Sequence, residues 1–341
     1  MDAINTNQII SEKKRYRYID AAKGIAIFFV VMGHVIFLTM AQEPADVQIY
    51  KGFGFIGISH MPLFMFLSGL VVSSHYVSAK NLFQTLIKRA HTLLVPFLVF
   101  GLAYAVFKEK TFDYFIFSPV KCGYWYLWVL FLFYCIQYVS VLITRNNSHK
   151  CYVDLIFGGG ISALLVCLHS QFSGTMVADF LCLERMASTY PFFFMGFMIK
   201  NYGLNKWLFT NELLYIGCLL FVVIFLIKPL PIPGLNYWVP IAIIIVLMSF
   251  LYSLESSSSK FFKLLSTVGR STLDIYILHY FVLTMFSLGF INQFFKSGNY
   301  SVFLEILVTT IVSSIIIVVC MFVSKLFRKS KYINKYVFNQ V

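Results

Sequence analysis

The chain has 341 residues, of which 59% are hydrophobic and 12% are charged, and its mean hydropathy is +0.80. A soluble domain carries about 25% charged residues, so this composition excludes a soluble globular protein and predicts an all-α integral membrane protein. The formal net charge of +13 does not indicate a nucleic-acid partner, because the basic residues lie between apolar runs and not on a soluble surface.

The N-terminal 20 residues are polar and basic. The apolar run that follows lacks the small-residue cleavage site of a signal peptide, so we expect it to stay in the membrane. The sequence therefore predicts three regions. They are a cytoplasmic tail over 1–20, a transmembrane domain over 21–326, and a basic cytoplasmic tail over 327–341.

Ten apolar runs predict about ten spanning helices in one polytopic bundle. They lie at 21–41, 53–76, 92–107, 124–143, 153–169, 186–199, 213–227, 237–254, 272–291 and 302–326. With both termini cytoplasmic, most of the 27 Lys and Arg residues fall on the inner side, as the positive-inside rule requires. The outer side then receives Lys51, Lys108, Lys110, Lys121, Arg185, Lys228 and Lys296.

The first run carries two ionisable residues, Lys23 and His34. Such side chains are costly in hydrocarbon and indicate a functional site. Their spacing of eleven residues corresponds to about 1,100° of helix rotation, which puts both on one face, and to a rise of about 16 Å. If that face lines a cavity, a cation at the membrane edge and an imidazole deep inside point into the same space.

The second run enters from the outer side and carries His60 and Pro62. Counting from the two edges puts His60 at a depth similar to that of His34. Ser68 and Gly69 are small enough for a neighbouring helix or an extended ligand to come close. A buried His taken alone is more often a packing residue, and this interpretation suits the remaining histidines outside the ninth run: His75, His91, His149 and His169.

Lys88 and Arg89 lie at the inner edge of the third run. Two interpretations stay open for them. They are either topology anchors or, with Lys23, ligands for a phosphate-rich molecule from the cytoplasm, since Arg presents a fork that matches phosphate.

Three more candidates lie on later runs. Trp125 belongs to the aromatic stretch YWYLWVLF, which is either an interfacial belt or a cavity wall that stacks on a sugar. Arg185 is at the outer entrance to the sixth run and either pairs with Glu184 or faces a ligand. His279 lies about 10 Å from the cytoplasmic edge of the ninth run. The seven cysteines have no metal-ligand spacing, no metal site is predicted, and a disulfide between Cys122 and Cys182 is not favoured.

Six stretches stand out in chain order: IDAAKGIAIFFVVMGH, HMPLFMFLSG, KRAHTLLVPFL, YWYLWVLF, YPFFFMGF and VGRSTLDIYILHY. Together they resemble landmarks of the acyltransferase 3 family, bacterial membrane proteins that move acyl groups onto sugar hydroxyls. The second stretch is similar to the motif of the branch that resembles fucose 4-O-acetylases. The family commonly has Arg where this chain has Lys23, and Lys keeps the charge without the fork.

The resemblance implies a multi-pass protein of the bacterial cytoplasmic (inner) membrane with no tightly bound cofactor. The donor would be acetyl-CoA or another short acyl-CoA, whose anionic head would dock near Lys23, Lys88 and Arg89. The acceptor would be a hydroxyl of an envelope glycan or of its lipid-linked precursor, bound by Trp125, Arg185 and His279. No nucleic acid is expected as a partner, and the lipid bilayer surrounds the protein.

His34 would then take the acceptor's proton as a general base, while His60 orients the acceptor or stabilises charge. A covalent acyl-His relay is the alternative, because imidazole can attack a thioester. Two other functions stay open at this point. A glycan exporter could use the histidines for proton coupling, although the two halves show no matching broken helices, and a structural or sensing protein would leave Lys23 and His34 without a role.

Overall fold

The computed structural model describes residues 16–72, 80–144, 147, 149–227, 235–331 and 334, without the side chains of 52–56, 220–227 and 235–236. The greater part of both predicted tails, His75 and Lys228 lie outside the described residues. All regular structure within these ranges is helical, which confirms the predicted all-α class.

The helices are α1 (Arg17–Val35), α2 (Lys51–Leu70), α3 (Leu82–Phe107), α4 (Phe112–Phe117), α5 (Trp125–Thr144), α6 (Lys150–Phe172), α7 (Met176–Leu181), α8 (Leu183–Asn201), α9 (Asn205–Leu208), α10 (Asn211–Ile227), α11 (Leu235–Ser253), α12 (Lys260–Arg270), α13 (Thr272–Leu283), α14 (Gly289–Phe294) and α15 (Val302–Phe327). A π-helical turn over Ile36–Met40 prolongs α1. We name the end of the bundle at which α1 begins the starting face, and the end at which α2 begins the opposite face.

Five of the described helices are long and apolar enough to cross a bilayer, judged by length and composition: Arg17–Met40, Leu82–Phe107, Trp125–Thr144, Lys150–Phe172 and Val302–Phe327. Three shorter helical stretches are also apolar: Gly57–Leu70, Tyr237–Ser253 and Thr272–Leu283. The chain is therefore a helical membrane protein, and the described part of each apolar run that the sequence singles out is largely helical.

The ninth run differs from its prediction. A single helix is expected over 272–291, but α13 ends at Leu283 and α14 begins at Gly289. The backbone N–H of Leu288 donates to the carbonyl of Thr39 at 2.7 Å, so the interruption is fixed by contact with the end of the first run. The structure also adds α12, a basic amphipathic helix ahead of α13 that the apolar runs do not predict.

Helix α1 contacts α2, α11, α12, α13 and α15 and lies at the centre of the bundle. It begins at Arg17 because the Glu255 carboxylate accepts the backbone N–H groups of Arg17 and Tyr18, at 3.1 and 2.7 Å. Those groups have no partner inside the helix, and an anion also suits the positive end of its dipole. A distant loop therefore fixes where the central helix starts.

Small residues let two helix pairs approach closely. A Cβ on Gly24 would collide with the backbone carbonyl of Leu265 in α12, and a Cβ on Gly69 would collide with the carbonyl of Phe193 in α8. This confirms the prediction that Gly69 admits a neighbouring helix. Close backbone approach is a main source of helix association in lipid, so these contacts set the distance of α1 from α12 and that of α2 from α8.

Helix α13 is held to α15 by a buried ion pair. Nε and the terminal nitrogen Nη2 of Arg328 donate to the Asp274 carboxylate at distances between 2.8 and 3.1 Å, and the hydroxyl of Ser324 donates to the same carboxylate. A charged pair inside a bundle needs additional hydrogen bonds to offset its desolvation, and both oxygens of the Asp274 carboxylate accept here. The register of α13, and with it the position of Tyr280, is fixed.

Candidate active site

A cavity of about 930 Å³ lies in the opposite half of the bundle. We call it the histidine cavity, because His34 of α1 and His60 of α2 are both on its wall. Helices α3, α4, α5, α8, α11 and α13 and the turn before α5 also contribute to the wall, and Tyr104, Trp125, Tyr276 and Tyr280 give it an aromatic lining. Its volume is in the range of about 300–1,000 Å³ that binding pockets for small organic ligands occupy.

The hydrogen bonds of His34 define its tautomer. Nδ1 lies 2.8 Å from the carbonyl of Val30, one turn earlier in α1. Because a carbonyl only accepts, Nδ1 carries the proton, and the neutral ring presents its lone pair at Nε2. The hydroxyl of Tyr280 lies 3.0 Å from Nε2. His34 therefore directs a base towards the cavity, and Tyr280 holds it there.

Tyr280 has a second acceptor within reach, the carbonyl of Gly123 at 3.2 Å. The same carbonyl accepts the hydroxyl of Tyr276 at 2.8 Å. Since Tyr280 has one hydroxyl proton, it donates to His34 when the imidazole is neutral. When Nε2 is protonated, the imidazole donates to Tyr280, and the tyrosine proton turns to Gly123. Both protonation states of His34 are thus satisfied without moving a heavy atom.

A strained turn presents the Gly123 carbonyl. Lys121, Cys122 and Gly123 have φ values of 44°, 51° and 96°, a left-handed conformation that is costly for residues other than glycine. A Cβ on Gly123 would collide with the Tyr280 ring. The buried Lys121 ammonium stabilises the turn by donating to the carbonyls of Ile116 and Ser118.

His279 was predicted to bind substrate, and it lies behind His34. It is fully buried, its ring centroid is 5.1 Å from that of His34, and it is not on the cavity wall. Its Nδ1 lies 3.1 Å from the carbonyl of Ile275, while Nε2 has no hydrogen-bond partner among the described residues. In this position it packs against the His34 ring without reaching the cavity wall.

Arg185 and Trp125 meet on the cavity wall. The guanidinium of Arg185 stacks over the Trp125 ring at 5.3 Å from the centroid, and no ion pair joins it to Glu184 within the described part of the chain. The structure therefore favours a cavity wall over an interfacial belt for Trp125, and a position that faces a ligand over a pair with Glu184 for Arg185. Cys122 and Cys182 are free thiols.

A second cavity of about 220 Å³ lies on the starting-face side of His34. We call it the lysine cavity, because Lys23 and Arg89 are on its wall. Arg89 is held by a hydrogen bond from Nε to the Tyr138 hydroxyl at 3.0 Å and by the Tyr134 ring at 4.4 Å. Lys88, the third predicted donor ligand, is exposed and is not among the residues that line this cavity.

The two cavities share three wall residues, Val30, Met61 and Tyr276. We call these residues the partition. Val30 is also the residue whose carbonyl holds His34. The sequence predicts that Lys23 and His34 point into one space. The structure has two cavities that meet at the partition, with Lys23 on the wall of one and His34 on the wall of the other.

Three features of the site escape prediction from the sequence: the hydroxyls of Tyr276 and Tyr280 and the carbonyl of Gly123. The tyrosines are four residues apart, a spacing that puts them on one face of a helix. That spacing was a usable signal. The partner carbonyl is 157 residues away from Tyr280, and nothing in a single sequence pairs them. Among the described residues, no group of three His, Cys, Asp or Glu side chains could hold a metal ion.

Comparison with known proteins identifies the family. The model of the acyltransferase 3 family, described as an acyltransferase domain, matches residues 16–325. Nodulation protein NolL of Sinorhizobium fredii (strain NBRC 101917 / NGR234) is 27% identical over 193 residues, which are 53% of this chain and 48% of that protein. Nodulation protein NolL of Mesorhizobium japonicum (strain LMG 29417 / CECT 9101 / MAFF 303099) is 28% identical over 191 residues, with shares of 53% and 47%.

The chain spans about half the length of the curated relatives that it matches. No solved structure matches it. The family match, in contrast, includes every residue that lines the two cavities, and it confirms the resemblance seen in the six sequence stretches. The chain therefore belongs to the acyltransferase 3 family.

Proposed function

We propose that the protein is a membrane O-acyltransferase that moves an acetyl or other short acyl group from acyl-CoA to a hydroxyl of an envelope polysaccharide or a lipid-linked sugar. The observation that carries the proposal is the pair of cavities that meet at the partition, one with Lys23 and Arg89 and the other with His34. Two substrates that approach from opposite faces of a membrane need such an arrangement.

In this proposal ten helices span the bacterial inner membrane and both termini are cytoplasmic. The starting face is then the cytoplasmic one, and the histidine cavity opens towards the envelope. The bias of Lys and Arg towards the loops of the starting face supports this orientation.

The donor enters from the starting face. The anionic head of the donor meets Lys23 and Arg89. Nε of Arg89 donates to the Tyr138 hydroxyl, so the terminal nitrogens of Arg89 can donate to phosphate. Lys88 lies outside the lysine cavity and would attract the head group from solution. The thin pantetheine arm has about 16 Å to cover between the level of Lys23 and that of His34.

The acceptor hydroxyl then attacks the thioester carbonyl near His34. Its O–H bond breaks as Nε2 takes the proton, a C–O bond forms, and the C–S bond breaks. The leaving thiolate takes the proton back from the imidazolium, so that the products are an ester and a free thiol. His60 shares the cavity with His34 and is suited to orient the acceptor. In the acyl-His alternative, the imidazole attacks the thioester first, and the acceptor hydroxyl then takes the acyl group from the imidazole.

Tyr280 shapes the proton transfer. Nε2 of neutral His34 is occupied by the Tyr280 hydroxyl, so the acceptor either displaces that hydroxyl or gives its proton to the Tyr280 oxygen while Tyr280 passes its own to Nε2. In both cases the Gly123 carbonyl accepts the tyrosine proton once the imidazole is charged.

Reconstituted protein and labelled acetyl-CoA test the proposal. The assay measures transfer to envelope glycan of the host, with mass spectrometry of the glycan as a second readout. We expect His34→Ala to lower transfer by about a hundredfold or more, the usual contribution of a general base. The control is His149→Ala, which removes an exposed imidazole outside both cavities and should leave transfer unchanged.

Normal transfer by His34→Ala would contradict the base assignment. An exporter that uses these histidines for proton coupling would move glycan without any acyl donor. Glycan movement that proceeds equally without acetyl-CoA, with no acyl group added, would therefore replace the proposal by that alternative.

A further inference from the structure

Cations at the opposite face fall into two groups. Of the described cations at this face that lie outside the histidine cavity, two have an ion pair or hydrogen bonds within the protein and the third contacts an aromatic ring. Lys296 pairs with Asp46 at 2.6 Å, Lys51 lies 5.8 Å from the Tyr300 ring centroid, and Lys121 donates to backbone carbonyls. Each of these cations serves the local structure.

The other group lines the histidine cavity and consists of Lys108, Lys110 and Arg185. None of the three forms an ion pair with an acidic residue that the structure describes. The described wall of the cavity also contains no Asp or Glu, although Glu109, Asp113 and Glu184 lie close by in sequence. The cavity is thus positively charged without internal compensation.

Arg185 is the clearest member of the group. It lies in the first turn of α8, where a cation opposes the helix dipole. Its Nε is buried without a hydrogen-bond partner among the described residues, and a buried unsatisfied donor is costly. Stacking on Trp125 orients the guanidinium but does not satisfy that donor. Helix stability therefore does not explain this residue, whereas a bound anion would.

Lys108 and Lys110 differ in this respect. Lys108 is the C-cap of α3, where a cation is favourable for the helix, so its position has a structural reason as well. Lys110 lies two residues beyond and approaches the Tyr114 ring at 5.3 Å. Tyr104, whose ring is 5.4 Å from that of Tyr280, is one turn before Lys108. Lys108 and Lys110 are exposed and also line the cavity, so they lie at its mouth, and Lys108 is about one helical turn beyond Tyr104.

We propose that the histidine cavity selects an acceptor that carries a negative charge next to the sugar to be acylated, as a carboxylate of an acidic sugar or as the phosphate of a sugar phosphate or lipid carrier. The inference rests on the proposed function and names its substrate class. The anion binds to Arg185 and the two lysines at the mouth, and the attached sugar extends past Trp125 towards His34.

Binding without a donor tests the inference separately from catalysis. The full-length protein is placed in phosphatidylcholine nanodiscs, and saturation-transfer NMR titrations compare galacturonic acid with galactose and glucose 1-phosphate with glucose. We expect each anionic probe to bind about tenfold more tightly than its neutral partner, the order of effect of one charge-assisted hydrogen bond. The preference should shrink between low and high salt.

The variants Arg185→Gln and Lys110→Gln, singly and together, should lower the affinity for the anionic probes and leave that for the neutral sugars unchanged. Lys51→Gln is the matched control, since it removes the same charge from the same face outside the cavity and should keep the preference. Equal affinities for charged and neutral probes in the wild type would overturn the inference.

Phospholipid is the other source of a phosphate at this face. If the preference is strong in phosphatidylcholine discs and persists in discs that contain phosphatidylglycerol, the acceptor assignment is supported. If phosphatidylglycerol abolishes probe binding in the wild type, the cations hold a lipid head group and the acceptor assignment fails. Acyl transfer and its dependence on His34 are measured separately, so either result leaves the proposed function to its own test.

Discussion

One hydroxyl proton at Tyr280 is shared between two acceptors, Nε2 of His34 at 3.0 Å and the Gly123 carbonyl at 3.2 Å. His34, the proposed base, therefore has a neighbour whose hydrogen bond can change with the protonation of the imidazole while the heavy atoms stay in place. Preorganised groups of this kind stabilise a transition state because they need no reorganisation as charge develops. The same hydroxyl also keeps the lone pair of His34 directed towards the cavity.

Removing that hydroxyl should therefore impair catalysis more than binding. We expect Tyr280→Phe to lower the kcat of acyl transfer by about tenfold to a hundredfold, within the range for groups that assist proton transfer, with little change in the KM for acetyl-CoA. Tyr276→Phe is the matched control, because it loses a hydrogen bond to the same Gly123 carbonyl without one to His34. Equal losses in the two variants would contradict a special role for Tyr280.

Lys23 is the residue at which the donor side can be tested. We expect Lys23→Glu to raise the KM for acetyl-CoA by at least about tenfold through repulsion of its phosphates, with a smaller change in the KM for the acceptor. Lys23→Arg keeps the charge and should be tolerated. Steady-state kinetics in nanodiscs measure both constants, and an unchanged KM for acetyl-CoA in Lys23→Glu would exclude a phosphate contact in the lysine cavity.

For single residues, the sequence predicts the ionisable groups of the site but not the groups that bond to them. Lys23, His34 and His60 are conspicuous because ionisable groups are rare in apolar runs. The Tyr280 hydroxyl and the Gly123 carbonyl look like ordinary features of a membrane helix and a turn. The role proposed for them rests on contacts between positions far apart in the chain, which a single sequence does not reveal.

At the scale of the helices, α2 and α8 come into close contact where Gly69 meets the Phe193 carbonyl. The obstacle to a larger residue is backbone, which cannot turn aside as a side chain can. We expect Gly69→Ala to destabilise the protein by about 1–3 kcal/mol, the usual cost of overpacking, and to lower the temperature of thermal unfolding in detergent.

Gly159 in α6 provides the control, since nothing lies within 4 Å of a Cβ built there. Alanine also has the higher helix propensity, so Gly159→Ala should leave the unfolding temperature unchanged or raise it. If both variants unfold at the same temperature as the wild type, the close crossing of α2 and α8 contributes little to stability.

Apolar length predicts where helices occur in this chain but not where packing interrupts them. The run over 272–291 contains no proline and reads as one continuous span. The break after Leu283 arises because the chain turns to meet Thr39 through Leu288. The same contact brings the end of α13, with Tyr280, next to the end of α1, with His34.

For the whole molecule, the proposed orientation places the loop that contains Ser258 in the cytoplasm and the segment that contains Ser297 on the envelope side. Both side chains are exposed. In a background without the seven native cysteines, Ser297→Cys should react in intact cells with a maleimide that cannot cross the membrane. Ser258→Cys should react only after the membrane is opened, and the reverse pattern would invert the topology and exchange the sides assigned to donor and acceptor.

The partition of Val30, Met61 and Tyr276 has a consequence for the energy supply of the cell. In the proposed orientation one chamber opens towards each side of the membrane, so the wall between them would also have to exclude water and protons, which otherwise cross down the electrochemical gradient. The side chains of these three residues would form that wall. We expect smaller residues there to increase ion leakage, whatever their effect on acyl transfer.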